Sequence, residues 1–286
     1  MDRTLQSHSS AARYAVLLVL TLLAATVAGC GGSTRNDPTA QATATAAAQA
    51  AIAANLRLAG TAWDVAHFFG PDPQVAVLPD TRLSTIFMGD RYAGFAGCNW
   101  YLGVYYVDET ALTFESPAST YVVCADEAVN QQESQFFSTM ANTIAYAFEG
   151  EQLLAYTSED QLLITYSPAE SVPFEGTQWS LKFIAADDDV AAVLPATAVT
   201  ATFAEERITG SGGCSEYTAN YTRDEQAMTI SNIQVTQTQC SDPTGIMEQE
   251  AVFLQALANV VAFEQAGGML MLFDASGAPT LLLGTP

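Results

Sequence analysis

Basic residues and histidine are the scarce elements of this sequence. The 286 residues include 9 Lys and Arg against 31 Asp and Glu, for a formal net charge of −22. A field of that sign repels phosphate backbones, so a nucleic-acid partner is excluded. Lys182 is the only lysine, and the acid excess reads as a solubilising surface. Of two histidines, His8 falls in the leader and His67 stands alone, with Phe183 at the matching position of the internal repeat described below. A histidine-based triad therefore fits in one place at most, and a His-rich zinc site is excluded. His67 itself reads as a strand residue. No Gly-rich loop has phosphate-cradling spacing with a lysine. Asp187, Asp188 and Asp189 lack the spacing and distal glutamate of a Ca²⁺ loop and read as an acidic surface loop. The residue types thus name no catalytic residue, no metal ligand and no cofactor.

What is present begins with a targeting segment. Arg3 and Arg13 precede an apolar run from Tyr14 to Ala25, too short to span a bilayer but right for a signal peptide. The run leads into Val27-Ala28-Gly29-Cys30, which resembles a bacterial lipobox. That resemblance implies cleavage after residue 29, a diacylglyceryl group on Cys30, and membrane attachment as an exported envelope protein, on the outer face of the cytoplasmic membrane or on the outer membrane. Residues 30–58 are rich in Ala, Thr and Gln with few large apolar side chains, and read as a flexible tether.

The remainder is a duplication. Gly60-Thr61-Ala62-Trp63 matches Gly176-Thr177-Gln178-Trp179, and Trp63 and Trp179 lie 116 positions apart. The same offset relates Ala76–Pro79 to Ala192–Pro195, Arg91 to Arg207, Gly97-Cys98 to Gly213-Cys214, Tyr101 to Tyr217 and Cys124 to Cys240. One inserted residue then aligns Glu133 with Glu250 and Phe136 with Phe253. A repeat this long is a duplicated domain, with units at 59–168 and 173–286 that are expected to fold separately.

Each unit reads as short strands and one helix. Strands are predicted over Thr61–Phe68, Ser84–Phe87, Arg91–Ala96, Tyr101–Val107 and Ala111–Phe114. Gly94, Gly97 and Gly103 are read as tight turns or bulges. A helix follows near Asp126, and in the second unit Asp242-Pro243 reads as its N-cap and first turn. Val129, Phe136, Met140 and Ile144 form the predicted apolar face in the first unit, and Met247, Phe253, Leu254, Leu257 and Val261 in the second. Strands near Leu153–Tyr156 and Leu162–Tyr166, then Met269–Phe273 and Thr280–Leu283, complete the units. The fold class is mainly β (α+β): two small antiparallel sheets or partly open barrels, each covered by a helix. Trp63 and Trp179 read as core anchors.

The segment Gly94-Phe95-Ala96-Gly97-Cys98-Asn99-Trp100-Tyr101-Leu102-Gly103-Val104-Tyr105, the opening Gly-Thr-x-Trp, and Thr120–Cys124 ahead of a helix with Glu133 and Phe137 resemble the META domain, the HslJ-like family. In the second copy Gly213 and Tyr217 keep the pattern, while Ser215 replaces Asn99 and Ala219 replaces Gly103. The resemblance implies an antiparallel β fold in bacterial envelope proteins linked to heat shock, antibiotic tolerance, secretion or motility. It implies no general enzymatic activity.

Four cysteines remain beside Cys30. Their equal spacing of 26 within each repeat and the oxidising destination pair Cys98 with Cys124 and Cys214 with Cys240. Arg91 and Arg207 each follow an acid; they read as turn-adjacent ion pairs or as a contact to a partner. The expected function is a non-enzymatic, membrane-tethered binding or scaffolding lipoprotein. A carrier of a small apolar or acyl ligand in the barrel and a carboxylate-dependent hydrolase are the alternatives.

Overall fold

The computed structural model of the chain describes residues 57–68, 75–186 and 189–286. The lipobox, nearly all of the tether, and Asp187 and Asp188 lie outside the described residues. The first unit comprises β1 (Thr61–Phe68), β2 (Val75–Ala76), β3 (Leu83–Met88), β4 (Arg91–Ala96), β5 (Trp100–Asp108), β6 (Ala111–Phe114), β7 (Ala118–Ser119), α1 (Glu127–Ala141), β8 (Ala145–Glu149), β9 (Gln152–Tyr156) and β10 (Leu162–Pro168). The second comprises β11 (Gln178–Ala186), β12 (Asp189–Ala192), β13 (Thr200–Ala204), β14 (Arg207–Ser211), β15 (Glu216–Asp224), β16 (Ala227–Val235), α2 (Ile246–Ala258), β17 (Ala262–Ala266), β18 (Met269–Phe273) and β19 (Pro279–Gly284).

Every strand pairing is antiparallel, and each sheet returns on itself. In the first unit the order β1-β3-β4-β5-β6-β8-β9-β10 closes through β10 pairing with β1. In the second, β11-β13-β14-β15-β16-β17-β18-β19 closes through β11 and β19. Each ring is thinnest where the helix leaves the chain: β6 meets β8 at the single pair Ala111 and Ala145, and β16 meets β17 at Ala227 and Ala262. The helices pack on the rings through buried phenylalanines. Phe136 lies edge-on to Phe68 at 5.9 Å, and Phe253 to Tyr217 at 5.7 Å.

Asp126 caps α1, its side chain accepting from the Ala128 N–H, as expected from its place before the apolar face. The second helix corrects the sequence reading. It begins at Ile246, and its N-cap is Gly245 at φ +90°. Asp242 and Pro243 lie in the preceding turn, which closes through the Ile246 N–H on the Pro243 carbonyl. A left-handed residue cannot sit inside an α-helix, so helical geometry starts only after Gly245. The helix faces also differ from the apolar stripes expected. Ile144 and Val261 fall past the helix ends and are exposed. The buried stripes are Gln132, Phe136, Thr139 and Met140 on α1, and Ile246, Glu250, Phe253 and Leu257 on α2. Each carries one large polar residue into the core.

Gly94 and Gly103 are a further correction. Both lie inside strands, β4 and β5, and only Gly97, at φ +92°, forms a turn.

Two clusters fill the two units, and a third joins them. Ile86 and Met88 on β3 and Leu102 on β5 meet Phe183, Met271 and Leu282 of the second unit. This explains why β3 and β18 are buried at every position. Alternate side chains enter their own core, and the intervening ones enter the layer between sheets, giving continuous apolar runs. Glu264 on β17 lies at this junction, where its carboxylate accepts the Gly89 N–H. Burial, with some help from Asp90, raises its pKa above the ordinary value. A carboxyl whose folded pKa exceeds its unfolded one loses stability as pH rises through the folded pKa. Glu264→Gln is therefore expected to raise the melting temperature at pH 7. The gain should stay below about 1 kcal/mol, because the group is part-exposed and screened. The difference should vanish below about pH 4, where both states are protonated, as thermal melts across pH would show.

Candidate functional site

The motif residues converge on the turn between β4 and β5. Gly97 reverses the chain, and Glu133 on α1 reaches up to it. The Glu133 carboxylate accepts the Asn99 backbone N–H and side-chain amide, both at 2.7 Å. The other arm of Asn99 faces the strand across: its Oδ1 accepts the Thr120 hydroxyl at 2.8 Å and the Val122 N–H at 2.6 Å, and its Nδ2 donates to the Val122 carbonyl. One amide thus bridges helix, turn and the segment leading to Cys124. The Cys98–Cys124 disulfide closes the same loop, with Cα atoms 5.9 Å apart.

The second copy keeps the mechanical plan with a smaller residue. Glu250, 5% exposed, accepts the N–H groups of Cys214 (3.1 Å) and Ser215 (2.5 Å) and the Ser215 hydroxyl (2.8 Å). Ser215 Oγ then accepts the Thr238 N–H, the counterpart of Val122. Cys214 and Cys240 are paired. The departure from Asn to Ser therefore retains the link to the helix and keeps one of the three bonds of the second arm. The second departure is steric. Gly103 pairs with Tyr92, whose ring would lie 2.4 Å from an added Cβ. At the matching pair the second copy has Ala219 opposite Ile208, so the tyrosine ring is gone and the methyl group fits.

Both glutamates aligned in the repeat, but nothing in their spacing marked them as the hub of the turn; a buried acid on an apolar helix face was the available signal. Removing Glu250 leaves three donors facing a buried site without their acceptor, and unpaired buried donors cost about 1–3 kcal/mol. Glu250→Ala is expected to destabilise by about 2.5 kcal/mol, and Glu250→Gln by about half of that. Urea unfolding monitored by tryptophan emission measures both.

Tyr101 and Tyr217 are buried, and their hydroxyls donate to the backbone carbonyls of Ser84 (2.7 Å) and Thr200 (3.0 Å). Burial pushes both pKa values up, so both remain neutral donors. Of the other residues singled out, Trp63 and Trp179 are core anchors, their indole N–H groups bonded to Thr61 Oγ1 and the Phe174 carbonyl. His67 is an exposed residue of β1. Arg91 lies 3.6 Å from Asp90, and Arg207 is exposed on β14 with no acid within 4 Å among the described residues.

Just beyond the first turn the chain presents an apolar tip. Tyr121 is 77% and Val123 86% exposed, with Val122 half-exposed between them. Tyr121 and its counterpart Gln237 share a left-handed backbone, φ +52° and +55°, yet the second copy reads Gln237-Thr238-Gln239. Beside the tip a cleft of about 300 Å³ opens between the units, lined by Trp100, Thr120, Val122, Lys182, Val193 and Leu194 among others. No group of three or more His, Cys, Asp or Glu among the described residues is placed to hold a metal ion. No helix among them is long and apolar enough to cross a membrane.

Similar solved structures include an NMR structure of a protein from Burkholderia xenovorans, 19% identical with a TM-score of 0.35, covering 41% of this chain and 87% of that one. A crystal structure of a DUF4847 family protein from Bacteroides vulgatus ATCC 8482 is 14% identical with a TM-score of 0.29, covering 38% and 93%. No curated protein shows significant similarity to the chain. The META domain model matches residues 56–170 and again 172–285, and the chain belongs to the META domain family, carrying two such domains in tandem.

Proposed function

We propose that this chain is a non-enzymatic lipoprotein of the cell envelope, tethered through Cys30, whose two META domains act as one binding or scaffolding unit. The observation that carries this reading is the use of the motif. Asn99, Glu133, Tyr101, Ser215, Glu250 and Tyr217 all bond to their own domain. A catalytic group needs a lone pair or proton aimed at substrate, whereas these groups position backbone. The ring interiors are filled by aromatic side chains such as Tyr101, Phe136, Trp179 and Phe203, which favours a scaffold over a carrier with its ligand inside the ring. The exposed Tyr121–Val123 tip is the surface offered to a protein partner.

Site-specific photo-crosslinking in the source cells tests this. A photoreactive residue at position 123 should give one dominant adduct with an envelope protein, and the same residue at 239 should give none. Cys30→Ala should move the protein from the membrane to the soluble fraction. Equal labelling at 123 and 239, or no adduct at either, would remove the scaffold reading.

A further inference from the structure

Three of the residues in which the two repeats differ lie near one another. Lys182, Trp100 and Arg82 have Ala66, Glu216 and Ala198 as their counterparts. The common fold therefore stands without them in the other copy. Lys182 and Trp100, which come from different domains, face each other across the interdomain cleft: the ammonium lies 5.5 Å from the Trp100 ring centroid, and both residues line the space.

The charge at this point is unusual for the molecule. In a chain of net charge −22, Lys182 has no carboxylate within 4 Å among the described residues. Its Nζ donates to the Thr285 carbonyl at 2.8 Å, which uses one of three N–H groups. Arg82, the cation whose charge acts on Lys182, is already paired with Asp64 at 2.7 Å. Burial, and then Arg82, draw the Lys182 pKa down from its ordinary value, the direction expected of a cation lacking its counter-ion. The rest of the wall is apolar or already bonded. Val122, Val193 and Leu194 supply the hydrocarbon of a lining that is otherwise largely polar. The Thr120 and Thr197 hydroxyls donate to Asn99 and to the Leu194 carbonyl.

We propose that this cleft binds a small organic monoanion, an aromatic or short aliphatic carboxylate, with its carboxylate on Lys182 and its apolar body against Trp100 and Val122. The geometry sets the class. One cation with two remaining donors suits a single carboxylate, and it gives no second contact for a dianion. The exposed lining is mixed, more polar than apolar, so a hydrocarbon body rests on Trp100 and Val122 alone, and about 300 Å³ is the low end of small-molecule sites. This site goes beyond the scaffold reading and does not rest on it.

The chain carries its own reporter. Of three tryptophans, Trp63 and Trp179 are buried in the domain cores and Trp100 lines the cleft. The probe is 4-bromobenzoate, a heavy-atom quencher, titrated into the full-length protein while tryptophan emission is read. Saturable quenching at sub-millimolar concentration is expected, with at least tenfold weaker binding of the neutral 4-bromobenzyl alcohol. Lys182→Met should weaken the acid at least tenfold, Lys182→Arg should restore it, and Trp100→Phe should abolish the quenching signal. Quenching without saturation, equal binding of acid and alcohol, or an unchanged Lys182→Met would each overturn the proposal. If Lys182→Met fails to fold, the acid and alcohol comparison on the unaltered protein decides alone.

Discussion

Replacing Gly94 by Ala is expected to destabilise the first domain by about 4 kcal/mol, in the range reserved for severe steric conflicts. Alanine is ordinarily the better strand residue, so the sign alone is diagnostic. An added Cβ at Gly94 would lie 1.9 Å from the Ser84 carbonyl oxygen and 2.6 Å from the Tyr101 hydroxyl. Backbone on a neighbouring strand cannot step aside without breaking the ladder that β3 and β4 share. The carbonyl in question is the one that accepts the Tyr101 hydroxyl, so the missing side chain and the tyrosine form one device. Gly210, with the Thr200 carbonyl 2.0 Å from its notional Cβ, repeats it in the second domain. Gly210→Ala should cost as much as Gly94→Ala. Tyr101→Phe should cost only about 1 kcal/mol, the net value of one hydrogen bond. Gly103→Ala supplies the contrast. Its obstacle is the Tyr92 ring, a side chain, and Tyr92→Ile in the same chain should recover most of the loss, since the second copy uses that pair. Urea denaturation of the full chain, with m-values compared, distinguishes these outcomes.

The duplication carried most of what the sequence made legible. Arg91–Ala96, Ala111–Phe114 and Met269–Phe273 were bounded correctly as β4, β6 and β18, because alternation and short apolar runs are local signals. Asp126 marked its helix start for the same reason. Gly94 misled because a glycine in a strand pattern reads as a turn, and only the tertiary crossing of Ser84 and Tyr101 gives it a different cause. Asp242-Pro243 misled because a good cap residue says nothing of the left-handed Gly245 three positions on. The Asn99–Glu133 link was half legible. Both residues stood in the resemblance, but a contact between a turn and a helix 34 positions apart has no sequence period. The layer joining the domains was written in the unbroken Met269–Phe273 run. Which surface covered its second face is a long-range fact. The cleft was not legible: most of its lining, such as Ala192, Val193 and Leu194, is shared by the repeats, but Lys182 and Trp100 are where they differ, and nothing in the sequence brings those two together across the domains.

Opening the disulfides should give the second large effect, and an unequal one. Cys98–Cys124 and Cys214–Cys240 close loops of the same 26-residue separation. Chain entropy alone therefore assigns each about 3.5 kcal/mol of stability. In the first domain the loop segment has other holds. Asn99 accepts the Val122 N–H and donates to the Val122 carbonyl, and its Oδ1 also takes the Thr120 hydroxyl. Asn130 bonds both the N–H and the carbonyl of Cys124. In the second domain Ser215 offers a single bond, to the Thr238 N–H. Cys98→Ser with Cys124→Ser should consequently leave residues 120–124 near their native place, whereas Cys214→Ser with Cys240→Ser should free residues 238–242. Hydrogen exchange reads this directly: amide protection at Val122 and Cys124 should fall modestly in the first double variant, and that at Thr238 should fall to the exposed-chain rate in the second. Both variants should lose comparable global stability in denaturant. Equal local loosening would mean that the disulfides, and not the Asn99 and Asn130 amides, set the position of the apolar tip and of the cleft wall beside it.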